Sequence, residues 1–157
     1  ENKMLIEFEM IREGLMPSRS NPSDAGMDVF FNPPEEDNSP MIVGPGKNTL
    51  LPTGVKFGVP HGYMLQAMNR SSMAAKRSLV VGAHCIDSGY EGEVFIDLHN
   101  IGTDIQVVQP GEKVAQLVLV PIIPFRLLKG DSEMYSRYPI SMSNRGEGAL
   151  GSTDVEQ

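Results

Sequence analysis

The sequence predicts an all-β sandwich or barrel. Three observations point there: short apolar or alternating segments recur along the chain, Gly, Pro and Asn separate them, and only one segment carries helical spacing. The 157 residues, 40% apolar and 21% charged, suit one domain with a sizeable core. The expected division is a β core over residues 1–130 and a C-terminal arm over residues 131–157.

Met4–Ile11 opens as a strand, Leu5, Glu7 and Glu9 alternating with Ile6, Phe8 and Met10. Met27–Phe31 is the next. Asn32–Pro40 is polar and proline-rich and reads as a solvated surface loop, with a partner surface as the alternative. Strands follow at Leu50–Val59 and Tyr63–Met68. Ser71–Lys76 is the one helix expected, capped by Ser71 or Ser72 and continued by Met73-Ala-Ala-Lys. Leu79–Val81 leads into a hairpin turning at Asp87-Ser-Gly, and Val94–His99 leads out. Ile105–Val108, Val114–Val120 and Phe125–Leu128 complete the strands. From Gly130 onward strand signals fade, and Asn144–Thr153 has the glycine-rich, small-polar composition of a tail that is flexible without a ligand.

A net charge of −7 argues against a nucleic-acid partner, which needs a basic face. A small anionic ligand needs only a few local donors and a divalent metal. The longest apolar run, Leu117–Phe125, is too short to span a bilayer and holds Pro121 and Pro124, so no membrane partner is expected. Cys85 is the single cysteine, which excludes an intrachain disulfide and favours a reducing compartment. With no targeting signal visible, a cytoplasmic or nuclear location is expected. The first residue is Glu1, so residues are expected to precede it. His61, His84 and His99 share no zinc-ligand spacing with Cys85. The ten methionines read as core filler.

The most informative stretch is the hairpin Gly82–Glu93. It carries a carboxylate, Asp87, and a ring, Tyr90, three residues apart. Backbone N–H and C=O groups of a two-stranded ribbon can read a flat base, a carboxylate can hold a water or a sugar hydroxyl, and a ring can pack on the sugar. The bland reading is a common turn followed by a strand tyrosine. Asn69-Arg70-Ser71-Ser72-Met73-Ala74 opens a helix, where free N–H groups, a guanidinium and two hydroxyls favour phosphate; an ordinary capped turn is the alternative. Asp28 follows a glycine at a strand start and alone reads as a turn aspartate. Gln116 interrupts an apolar strand, so its amide needs a structural or catalytic partner. Arg145-Gly-Glu-Gly-Ala-Leu-Gly-Ser-Thr153 has the composition of a phosphate cradle but lacks the Gly-Lys-Ser/Thr ending of a Walker loop; a polar tail is the alternative.

Taken in order, Ala25-Gly-Met-Asp-Val, Arg70-Ser-Ser-Met-Ala, the Gly82–Glu93 hairpin, Gly111…Ala115-Gln-Leu and Arg145–Thr153 resemble the five motifs of the trimeric dUTP pyrophosphatases. The resemblance spans Ala25 to Thr153. It implies a jelly-roll-like β fold and a homotrimer with sites at subunit interfaces. It implies hydrolysis of dUTP to dUMP and pyrophosphate by water attack at the α-phosphate with Mg²⁺, which limits uracil in DNA. By the same resemblance Asp87 would hold the attacking water and touch the 3′-hydroxyl. Tyr90 would pack on the deoxyribose. Backbone at Val81, Cys85, Ile86 and Phe95 would read uracil. Arg70, Ser71 and Ser72 would bind phosphates, and Gln116 would fix the phosphate or the water. Asp28 would support the metal, itself held through substrate phosphates and water. Arg145, Gly151, Ser152 and Thr153 would close over the triphosphate as a lid, and Leu150 would cover the base in place of the family's aromatic ring.

Three positions depart from that pattern. Ser72 stands where the family has Gly, Ala149-Leu150 where it has Gly-Phe, and His84-Cys85 where it has a small residue and an aliphatic one. The His84 and Cys85 side chains are expected to point away from the base. Two rivals share the fold. dCTP deaminases carry arginines at the positions of Ala75 and Cys85 and a glutamate acid/base at that of Asp97, so this chain lacks their set. A non-catalytic nucleotide-binding regulator would not need to keep Asp87, Tyr90, Gln116 and Arg145.

Overall fold

Burial alternates residue by residue along Phe95–Asn100: Ile96, Leu98 and Asn100 are buried, while Phe95, Asp97 and His99 face outward. That period of two is what a strand with one face on a core produces. The computed structural model describes residues 4–137. Its strands are β1 (Glu7–Met10), β2 (Met27–Phe30), β3 (Met41–Val43), β4 (Asn48–Pro52), β5 (Val55–Gly58), β6 (Tyr63–Met68), β7 (Leu79–Val81), β8 (Cys85–Ile86), β9 (Phe95–Asn100), β10 (Gln106–Val108) and β11 (Lys113–Pro121). Helix α1 is Ser71–Arg77 and the single turn α2 is Met134–Arg137. The chain divides into two units, Glu1–Pro124 and Phe125–Gln157, and all the strands belong to the first.

A four-stranded sheet runs β2-β11-β6-β8 and a three-stranded one β4-β9-β7, with ribbons β1-β5 and β3-β10 beside them; every pairing is antiparallel. One apolar cluster joins the two larger sheets. Val29, Leu65, Ala67, Ala115 and Leu117 come from the first, and Leu51, Leu79, Ile96 and Leu98 from the second. This is the jelly-roll-like sandwich expected. Its two fully buried polar residues are paired, while Asn32 Nδ2 is enclosed without a hydrogen-bond partner among the described residues. Asn100 donates to the carbonyls of Val43 (2.8 Å) and Asp104 (2.7 Å), and Thr53 Oγ1 donates to Val94 O at 2.7 Å.

Several expectations change in detail. Leu50–Val59 is two strands in two sheets, broken at Thr53-Gly54, where Gly54 takes φ +72°. A glycine there lets the chain turn from pairing with β9 to pairing with β1. Phe125–Leu128 forms no strand: Pro124 removes a donor just before it and no described segment pairs with it. β3, a run of only three residues, was absent from the expected strands, as was the 3₁₀ turn Glu35–Asp37 in the exposed polar loop. Of the described methionines only Met73 is buried, so they are not core filler.

Leu98 is fully buried at the centre of this core. Leu98→Ala is expected to lower unfolding free energy by about 2–5 kcal/mol in a denaturant titration. A loss below about 1 kcal/mol would mean the two sheets do not share one packed interior.

Candidate active site

β7 and β9 pair as the arms of the expected hairpin, Val81 opposite Leu98. The segment between them is no simple turn. It leaves its sheet, and Cys85 and Ile86 pair with Gln66 and Leu65 of β6 in the other sheet. The Ala67 N–H donates to His84 O at 2.9 Å. The chain then reverses at Asp87, where the Tyr90 N–H donates to Asp87 O at 3.1 Å, as the Asp-Ser-Gly sequence predicts. The Tyr90 hydroxyl donates to Glu93 O at 2.5 Å. Gly92 lies under the Tyr90 ring, and a Cβ there would sit 2.7 Å from the phenol oxygen.

This crossing makes a cavity of about 190 Å³ lined by Cys85, Ile86, Asp87, Tyr90, Val94 and Phe95. Cys85 therefore does not point away, as expected from sequence. Residues two apart on extended backbone share a side, and Cys85 Sγ–H donates to Asp87 Oδ1 at 3.4 Å. That hydrogen bond, with partial burial and the charge of Asp87 behind it, pushes the thiol above the ordinary cysteine range. The Val81 N–H is already taken by Asn69 Oδ1 at 2.6 Å, so only the carbonyl of Val81 remains for a ligand.

A second cavity, about 180 Å³, is lined by Ser20, Asp24, Asp28, Arg70, Ser71 and Gln116. Asp28 holds two cations, Arg70 Nε at 3.1 Å and Lys113 Nζ at 3.0 Å. Lys113 also donates to Ser20 Oγ at 3.2 Å. The Gln116 amide finds the partner its strand position demands, donating to Asn69 O at 2.9 Å. Gly26 is needed beside it, since a Cβ there would sit 2.7 Å from Gln116 Oε1. The N-cap of α1 is Arg70 in extended conformation, not Ser71 or Ser72, and it makes no side-chain cap. Both serine hydroxyls are thus left for other acceptors.

The sequence reading passed over Asn69, Lys113 and Ser20. Lys113 had a usable signal: it opens the strand that carries Gln116, and a bulge between Lys113 and Ala115 shifts the register there. Asn69 and Ser20 act through contacts that only the fold creates. Arg145, Leu150, Gly151, Ser152 and Thr153 lie outside the described residues.

Among the described residues no three His, Cys, Asp or Glu side chains gather as a metal cage. Asp28 is the acid nearest the phosphate-type donors, and both its oxygens contact cations. Such a donor set fits Mg²⁺ held mainly by substrate phosphates and water, the usual habit of that ion.

Asp97, outward on β9, is a further organised carboxylate. Asn48 Nδ2 donates to its Oδ1 at 3.0 Å and His99 Nε2 lies 2.9 Å from its Oδ2. Partial burial works to raise its pKa, but the bonds from Asn48 and His99, the charge on His99 and the Ala83 N–H outweigh it and hold the carboxyl below the ordinary aspartate range.

A family model described as dUTPase matches residues 12–153. The deoxyuridine 5'-triphosphate nucleotidohydrolase of Chlamydia pneumoniae is 33% identical over 153 residues, covering 96% of this chain and 98% of its own. That of Sinorhizobium medicae (strain WSM419) is 35% identical over 146 residues, covering 91% and 86%. The dUTPase of Staphylococcus bacteriophage 80alpha, solved with dUPNHPP, superposes with a TM-score of 0.79 at 25% identity, across 96% of this chain and 99% of that one. A mutant dUTPase from phage phi11 of S. aureus, described with a coordinated structural Mg(II) ion, shares the fold with a TM-score of 0.72 at 24% identity, across 83% of this chain and 99% of that one.

Because Asp87 disfavours the Cys85 thiolate, alkylation of Cys85 by iodoacetamide at pH 8 is expected to run several-fold slower than that of a free cysteine, and Asp87→Asn is expected to accelerate it. The single cysteine makes the mass shift unambiguous. An unchanged rate in Asp87→Asn would break the link between the two side chains.

Proposed function

The chain belongs to the dUTPase family, and on that premise we propose that the two cavities are the base-and-sugar end and the phosphate end of one nucleotide site. The enzyme hydrolyses dUTP. The observation that carries the assignment is that Asp87 and Tyr90 line the same cavity as Cys85, Ile86 and Phe95. A water-holding acid, a sugar-packing ring and strand backbone that can read a base are thus collected on one wall.

In this reading Asp87 accepts a hydrogen bond from a water and aims its lone pair at the α-phosphorus. The bond from water oxygen to phosphorus forms, the bond to the bridging oxygen breaks, and pyrophosphate departs while the proton passes to the carboxylate. Chemistry of this kind depends on positioning and charge neutralisation more than on a strong nucleophile. Arg70, Ser71 and Ser72 bind phosphate oxygens, and Gln116, fixed through Asn69, donates beside them. Lys113 adds a further positive charge, held in place by Asp28 and Ser20. When bound, Mg²⁺ would supply the remaining neutralisation, and Asp28 is the residue that would support it. The lid role proposed for Arg145 and residues 150–153, which lie outside the described residues, rests on the family motif in their sequence. Tyr90 against the sugar leaves no room for a 2′-hydroxyl.

The homotrimer is part of the same proposal. Ile42, Leu50, Ile101 and Ile105 are all more than half exposed, apolar surface of the kind a subunit interface covers. Deamination is disfavoured by Asp97. Its carboxylate is already engaged by Asn48 and His99 and its pKa is lowered, whereas an acid/base acting on the cytosine ring needs a proton to give near neutral pH.

Incubation with each dNTP and Mg²⁺ is expected to release pyrophosphate from dUTP alone and ammonia from none; ammonia from dCTP would overturn the assignment. Asp87→Asn is expected to lower kcat by about 10²–10⁴-fold while nucleotide binding by calorimetry persists. Chelation by EDTA is expected to suppress turnover and Mg²⁺ to restore it.

A further inference from the structure

Asp97 lies outside every motif used above, yet it is the best-satisfied exposed-face carboxylate on β9. Phe95, Asp97 and His99 share the outward side of that strand, and Phe95 lines the cavity with Asp87 and Tyr90. Two residues along a strand is about 7 Å, so Asp97 sits one step from the cavity wall. Its side chain is mostly covered, with 17% of its area exposed, and it accepts from Asn48 on β4 and lies 2.9 Å from His99 on its own strand. The Gly82 N–H donates to the Asp97 carbonyl at 2.8 Å. The main chain of Asp97 therefore bonds the segment leaving β7 at Gly82, and its carboxylate packs against the same residue.

Gly82 explains how close that grip is. A Cβ at position 82 would sit 2.6 Å from Asp97 Oδ2 and collide with His99 Nε2. The backbone lies directly on the Asp97–His99 pair, and only glycine permits it. Immediately downstream His84, Cys85 and Ile86 pair with β6, and the chain reaches Asp87. Gly82 and Ala83 are thus the point from which the base-reading segment springs across to the other sheet.

We propose that Asp97, clasped by His99 and Asn48, is a positioning residue that fixes the Gly82–Ala83 backbone and so holds the base-reading segment ready for dUTP. The proposal rests on the assignment of that segment to the nucleotide base. Asp97 touches no reacting atom. Without its carboxylate the Gly82 backbone loses the group it lies against and the segment gains freedom that binding must remove, a loss that falls on affinity more than on the chemical step.

The test uses the full chain. Asp97→Ala is expected to raise KM for dUTP by about tenfold, with kcat within about threefold of the parent. Amide hydrogen exchange at Gly82 and Ala83 is expected to quicken while Leu79 and Val80 stay protected. Asp97→Asn keeps an amide oxygen for the Asn48 donor and an NH₂ that can face a neutral His99, and is expected to recover part of the affinity. Should Asp97→Ala not fold, Asn48→Ala at the exposed side of the cluster and Gly82→Ala carry the same measurements, and both are expected to raise KM. An unchanged KM with unchanged exchange at Gly82 and Ala83 would overturn the proposal, as would a fall in kcat alone. The exchange measurement needs no turnover. A parent protein inert toward dUTP would therefore sink the function assigned above, while the exchange result still decides whether Asp97 holds the segment.

Discussion

The fold turns on a set of hydrogen bonds gathered around Val94. Here β4 stops, β5 starts and the long crossing segment comes home to β9, so three chain segments change partners within a few residues. Buried backbone groups at such a point have no water to turn to and must find each other. The Thr53 N–H donates to Val94 O at 3.2 Å, Thr53 Oγ1 donates to the same oxygen, and the Val94 N–H donates to Val55 O at 2.9 Å. Glu93 accepts from the Gly54 N–H at 2.8 Å and pairs with Arg12, while Arg12 Nε reaches Asn32 O at 2.9 Å. With Val94 only 2% exposed, the bonds to its own backbone are sheltered from solvent competition. The same junction delivers Val94 and Phe95 to the cavity wall, so the geometry of the site is inherited from the place where the sheets exchange strands.

The phosphate end shows how an acidic protein can hold a polyanion. The chain carries −7 overall, yet Arg70 and Lys113 converge on one carboxylate, Asp28, and Lys113 also donates to Ser20. Without a counter-charge two cations this close would repel and swing into solvent. Asp28 keeps them adjacent at the cost of part of their field. A triphosphate with its metal can then meet donors already in place, which lowers the reorganisation required on binding. The acidic remainder of the surface works against longer polyanions, for which a few local donors do not suffice.

Much of this was legible in the sequence because it is local. The period-two burial of Tyr63–Met68 and Phe95–Asn100, the Asp87 turn and the single main helix all follow from neighbouring residues. What escaped depended on long-range pairing. Leu50–Val59 has uninterrupted strand character, and only the competition between β9 and β1 for its two halves divides it at Gly54. The β7–β9 hairpin was visible, but its detour to β6 was not, since nothing in Gly82–Ile86 names a distant partner. For the same reason the direction of Cys85 was misjudged: it follows from the pairing of β8, not from the residue. Asn69 and Ser20 are ordinary polar loop residues until the fold brings Val81, Gln116 and Lys113 against them.

Asn69 uses both of its oxygens. Its side chain receives the Val81 N–H beside the base-reading segment, and its carbonyl receives Gln116 beside the phosphate cavity. One residue, itself next to Arg70 in the chain, thus sets the spacing between two walls built from different sheets. It works as a gauge block: the separation of Val81 and Gln116 is written into the length of a single asparagine.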